Sequence, residues 1–153
     1  MRVITAPDGY PIGTYDRDYF LAGGITGCPD WQADAIKAIE EEFGEDEDLV
    51  LLNPRRPSFD VSNSDVSKEQ IKWEWDMLCN AVGKLFWFPA ETVCPITLFE
   101  LGTELEYDFV VGCHPDYPRR FDVEYQLELR RPGLKVHVGW DDFITASINF
   151  MKP

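Results

Sequence analysis

Two acids of this chain sit in segments whose residue types suit carboxylate chemistry, and a third lies close by. Glu100 belongs to the segment Pro89 to Gly102, PAETVCPITLFELG, which directly follows the run Lys84 to Phe88. Pro95 suits the first position of a helix, so Glu100 falls in the first turn or two. There the positive end of the helix dipole favours an ionised carboxylate, the state an anionic nucleophile needs. Leu98, Phe99 and Leu101 give it apolar company, against the competing reading of an ordinary helix-surface glutamate. Asp76, in KWEWDMLCNA, has Trp73, Trp75 and Met77 around it. Such neighbours would desolvate the acid, raise its pKa and suit it to donate a proton; the alternative is a solvated helix face. Glu91 stands in the same loop region as Glu100, as a ligand contact or an acid facing water.

Other residue types add to these acids. Tyr19 can donate a hydrogen bond to a carboxylate, or fill the core as strand tyrosines commonly do. Gly23, Gly24 and Gly27 surround Thr26 in GGITG, a loop where glycine permits unusual backbone angles. They form neither G-x-G-x-x-G nor a phosphate loop with its lysine. Arg119-Arg120 can hold a phosphate in fork geometry or pair with some of the many acids. Cys94 lies at a helix start, but no histidine is near in sequence, so a small apolar role is expected rather than a nucleophile. The cysteines Cys28, Cys79, Cys94 and Cys113 never form C-x-x-C, and His114 and His137 are far apart. Reduced thiols, no metal site and no cofactor are expected.

These residues need a scaffold, and the alternation of apolar runs with helix-like segments supplies it. Strands are expected at Tyr19 to Ala22, Leu49 to Leu52, Lys84 to Phe88, Phe109 to Gly112 and Lys135 to Val138. Met1 to Ala6 is a weaker candidate, cut off by Pro7, Asp8, Gly9 and Pro11. Helices are expected at Trp31 to Phe43, from Ser67 as cap to Asn80, Ile96 to Tyr107, Asp122 to Arg130, and from Asp141 onward. Arg55 to Asp65 reads as a surface loop long enough to act as a lid. Strand and helix alternating five times predicts an α/β domain over residues 1–153, a three-layer sandwich with a five-stranded, mostly parallel sheet. Ligands of such sheets bind beyond the carboxyl ends of the strands, which makes Gly23 to Cys28, Asn53 to Asp65, Pro89 to Pro95 and Cys113 to Phe121 the informative loops.

Composition narrows the ligand. A formal net charge of -14 opposes a nucleic-acid polymer as partner, and no apolar run approaches the ~20 residues of a membrane span. A small molecule fits better, a nucleotide included, since backbone N–H groups at a helix N-terminus can hold one phosphate. The N-terminus lacks the pattern of a secretory signal, so the expected location is cytoplasmic.

In order, YFLAGGITG, LLNPRR, WEWDMLCNA, LFWFPAETVCPITLFELG and FVVGCHPDYPRRFDVEYQ resemble the nucleoside 2-deoxyribosyltransferase-like family over about Tyr19 to Leu129. The resemblance implies a flavodoxin-like fold, a nucleoside or nucleotide substrate and homo-oligomers. It implies that the glutamate of the E-L-G element, here Glu100, attacks the anomeric carbon, and that an acid on the preceding helix, at Asp76, holds the sugar or protonates the base. A tyrosine of the first motif, Tyr19 or else the position of Phe20, orients the nucleophile. The family's base-contacting acid falls near Cys94 or Glu91. Transfer of the sugar to another base, hydrolysis of the nucleoside or its 5′-monophosphate, and nucleotide binding without catalysis are the three activities such a chain can have.

Overall fold

The computed structural model describes residues 1–11, 16–58, 60 and 62–153. Among them the elements follow in the order β1 (Arg2–Thr5), β2 (Asp18–Gly23), α1 (Trp31–Phe43), β3 (Val50–Asn53), α2 (Ser64–Asn80), β4 (Gly83–Phe88), α3 (Pro95–Thr103), β5 (Phe109–Cys113), α4 (Arg120–Arg130), β6 (Val136–Val138) and α5 (Trp140–Met151). The strands form a parallel sheet in the order β1-β3-β2-β4-β5-β6. Six parallel strands and five helices make an α/β fold consistent with a flavodoxin-like sandwich. No described helix is long and apolar enough to cross a membrane.

The sheet has one strand more than the expected five. Arg2–Thr5 pairs with Val50–Asn53, residue for residue from Arg2↔Val50 to Thr5↔Asn53. Pro7 and Gly9 end this strand rather than prevent it, and as an edge strand it needs only one paired side. The start of α2 also differs. Asn63, not Ser67, is the cap: its Oδ1 accepts the N–H groups of Asp65 at 3.0 Å and Val66 at 3.4 Å. The helix therefore begins ahead of the expected cap and takes Asp65 out of the candidate lid, in which Phe59 and Val61 lie outside the described residues. At its far end α3 stops at Thr103, where the Glu104 N–H is shared between the carbonyls of Glu100 and Leu101.

Two compact units divide the chain: residues 1–21 with 32–84, and residues 22–31 with 85–153. In the first, β3 is a run of buried aliphatic residues, as a strand covered on both faces requires. Trp73 of α2 packs 6.4 Å from Phe20, ring to ring, and donates its indole N–H to the Asp8 carbonyl at 2.8 Å. It is a core residue, whereas Trp75 on the same helix is 62% exposed. In the second unit β5 and residues 85–88 of β4 are buried. Phe143, Ser147 and Met151 recur every fourth residue on the buried face of α5. The Phe143 ring lies 5.0 Å from Trp87 and 6.4 Å from Trp31.

Candidate active site

Within the second unit, the loops that follow β2, β4 and β5 meet around Cys94. The β2 loop enters through Gly23 and Gly24. A Cβ on Gly23 would stand 2.4 Å from the Trp31 ring and 2.5 Å from the Trp87 carbonyl oxygen; one on Gly24 would stand 2.7 Å from the sulfurs of both Cys28 and Cys94. Only glycine lets the chain pass so closely. Trp31 fastens the corner by donating its indole N–H to the Gly24 carbonyl at 3.0 Å. From the β4 loop, Thr92 Oγ1 lies 3.2 Å from Cys94 Sγ and 3.5 Å from Cys28 Sγ. From the β5 loop, the buried Tyr117 hydroxyl donates to the Val93 carbonyl at 2.8 Å. Thr92 and Tyr117 are positioning residues that sequence neighbourhood alone does not reveal, because their partners lie on other loops or two residues away through a side chain.

Cys94 itself caps α3 with a left-handed backbone, φ 45° and ψ 58°. Burial raises its thiol pKa above the ordinary 9.0, opposed by the hydrogen bond with Thr92 and by the Gly24 N–H. The raised value favours the protonated thiol. Pro95 occupies the first turn, as expected. Glu100 follows in the second turn with a half-buried side chain, flanked by buried Leu101 and by Phe99, which is 71% exposed. Helix-dipole stabilisation declines beyond the first turn, so α3 contributes chiefly the placement of this carboxylate.

In the first unit the acids sort differently from their sequence neighbourhoods. Asp76 is half-buried and accepts a hydrogen bond from the exposed Lys72 Nζ at 2.6 Å, an i,i+4 pair along α2. Glu74 lies on the buried face with Gln70 and Trp73. Its Oε1 accepts from Gln70 Nε2 at 2.9 Å, and that same amide nitrogen donates to the Pro54 carbonyl at 2.7 Å. Burial raises the Glu74 pKa above the ordinary 4.5, with the Gln70 hydrogen bond working against it. Glu74 is thus a further acid of this helix with an environment suited to holding a proton. Helical periodicity carries the signal for it: Gln70, Trp73, Glu74 and Met77 share a face at spacings of three and four, while Trp75 points away.

Tyr19, the second residue of β2, is buried and hydrogen-bonded to Arg17. Desolvation raises its phenol pKa, so it remains a neutral hydrogen-bonding group. Thr26 and Glu91 are exposed loop residues. Arg119 is also exposed and pairs with Asp122 at 3.0 Å, while Arg120 pairs with Glu124 at 3.1 Å. Among the described residues no cluster of three or more His, Cys, Asp or Glu side chains is arranged to hold a metal ion. His114 instead accepts the Asp116 N–H on Nδ1 at 3.1 Å.

Residues 16–117 match the family described as "Nucleoside 2-deoxyribosyltransferase like". No curated protein matches the chain. The matched stretch runs from the approach to β2 through Tyr117 and contains the glycine corner, Glu74, Asp76, Cys94 and Glu100. Because it covers about two thirds of the chain, and the fold is the one expected of such a sequence, the chain belongs to the nucleoside 2-deoxyribosyltransferase-like family.

Proposed function

We propose that this protein cleaves the N-glycosidic bond of a nucleoside or deoxynucleoside and passes the sugar to a second base. The observation that supports this most is the place of Glu100: in the E-L-G element of α3, inside the family match, on the helix that leaves the junction of three strand-end loops. A carboxylate beneath the anomeric carbon stabilises the oxocarbenium-like transition state and traps the sugar. The bond from a Glu100 oxygen to C1′ forms as the C1′–N bond breaks, and an acid supplies the proton that the departing base takes up. An incoming base then attacks C1′ through a ring nitrogen, the C1′–O bond to Glu100 breaks, and the N–H proton of that base returns to the acid. We assign the proton to an acid of α2: Asp76, at the position the family resemblance implies, or Glu74, whose pKa burial raises above the ordinary carboxylate value. Tyr19 is the proposed orienting hydroxyl; Gly23, Gly24, Thr26, Glu91, Cys94 and Arg119 are the proposed substrate contacts. The reading also takes the protein to be a cytoplasmic homo-oligomer.

Incubation with 2′-deoxynucleosides and their 5′-monophosphates, with and without a second free base, tests the assignment by chromatography of the bases. Exchange that requires the acceptor is the expected result. Release in water alone makes the protein an N-glycosidase, and neither product makes it a binding module. Glu100→Ala removes the product in either catalytic case by about 10³-fold or more while the fold persists.

A further inference from the structure

We propose that Cys28 and Cys94 form a dithiol site that a peroxide converts to an intrachain disulfide. The two residues are far apart in sequence, yet the fold brings their sulfurs to the same side of Gly24, where each lies 2.7 Å from the position of a Gly24 Cβ. Thr92 Oγ1 contacts both sulfurs. Both sulfurs therefore crowd one small space beside a residue that has no side chain of its own.

The two thiols differ in access, which orders the chemistry. Cys94 is 4% exposed, whereas Cys28 is partly open to solvent. Oxidation therefore begins at Cys28. Its sulfur attacks a peroxide oxygen, the O–O bond breaks, and a sulfenic acid and one water form. The Cys94 sulfur then attacks the Cys28 sulfur, the S–OH bond breaks, and the Cys94 proton leaves with the hydroxyl as a second water. Two thiols lose two electrons and one hydrogen peroxide becomes two waters, so no further reactant is needed. The product ties the β2 loop to the cap of α3, the helix that carries Glu100. This chemistry does not depend on the catalytic assignment.

Treatment of the intact Cys79→Ser protein with hydrogen peroxide tests the site, since that substitution removes the exposed thiol. Thiols are titrated after denaturation, and the disulfide is mapped under non-reducing conditions. Trypsin leaves Cys94 and Cys113 in one peptide, so a second cleavage after Glu100 or Glu104 is required to separate them. The expected result is the loss of two thiols, a single Cys28–Cys94 linkage within one chain and full recovery with dithiothreitol. A linkage through Cys113, or Cys28 carried to sulfinic acid without a crosslink, overturns the proposal. So does the same thiol loss when Cys28 is also replaced by serine.

Discussion

Gln70 Nε2 donates to Glu74 Oε1 at 2.9 Å and to the Pro54 carbonyl at 2.7 Å. One amide group thus joins the acid of α2 to the loop that leaves β3. The arrangement accounts for an acid that is held in place while burial keeps its proton affinity high, and it separates Glu74 from Asp76, only two residues on, which is neutralised from outside by Lys72.

The two acids should answer differently to amide substitution. Glu74→Gln is expected to lower kcat by about 10²–10⁴-fold, the usual contribution of a general acid, and to remove the alkaline limb of the pH–rate profile. Asp76→Asn is expected to leave both nearly unchanged. Rate profiles of the two variants decide between the residues, and the opposite ranking would transfer the role to Asp76.

Stability carries its own pH signature. A Glu74 pKa above the ordinary 4.5 means that the folded state binds this proton more tightly than the unfolded state. The stabilisation is complete below the unfolded pKa and is lost as pH rises through the folded value. Denaturant midpoints of the parent should therefore fall relative to Glu74→Gln as pH is raised from 4.5 toward neutrality; a constant difference would show that burial does not tune this group.

Tyr117 offers a second titration. Its hydroxyl bonds the Val93 carbonyl at 2.8 Å, and burial pushes its pKa upward from 10.0. Tyr117→Phe should cost about 0.5–1.5 kcal/mol at neutral pH, the net worth of one such bond. Above pH 10 the unfolded phenol ionises first, so the parent loses stability with rising pH and the gap to the variant narrows. Thermal melts at neutral and alkaline pH measure both effects.

Gly24→Ala should destabilise the fold by about 1–3 kcal/mol, the cost of overpacking, because the new methyl meets two sulfurs at 2.7 Å. Cys94→Ala in the same chain should recover part of that loss. Chemical denaturation of the four proteins of this double-mutant cycle gives the coupling directly, and strict additivity would place the clash elsewhere.

At the head of α2, Asn63→Ala should cost about 1 kcal/mol, because the Asp65 and Val66 N–H groups lose their acceptor. Asn63→Asp should be tolerated. Ser67→Ala should be close to neutral if Asn63 is the cap, and circular dichroism during urea unfolding ranks the three.

Local patterns were enough for much of this architecture. The core strands from β2 to β6 and the helices between them announce themselves through apolar runs, proline at the start of α3 and glycine or proline at the breaks, since these signals act on neighbouring residues. The position of Glu100 in α3 is legible for the same reason: a strand, a loop and Pro95 fix it within a few residues. The edge strand β1 is only a weak candidate in the sequence, and the Asn63 cap is hidden there, because each competes with a plausible neighbour, the prolines that follow Thr5 in one case and Ser67 in the other. Of the apolar neighbours that mark Asp76 in the sequence, Trp73 and Met77 are in the core and Trp75 is exposed. Burial is decided by which face of α2 packs inward, and that choice places Glu74 beside Gln70 and Trp73. The pairing of Cys28 with Cys94 and the latch from Tyr117 to Val93 required the completed sheet, because proximity between separate loops depends on strand order and crossover, and neither is encoded in the spacing of the residues that finally touch.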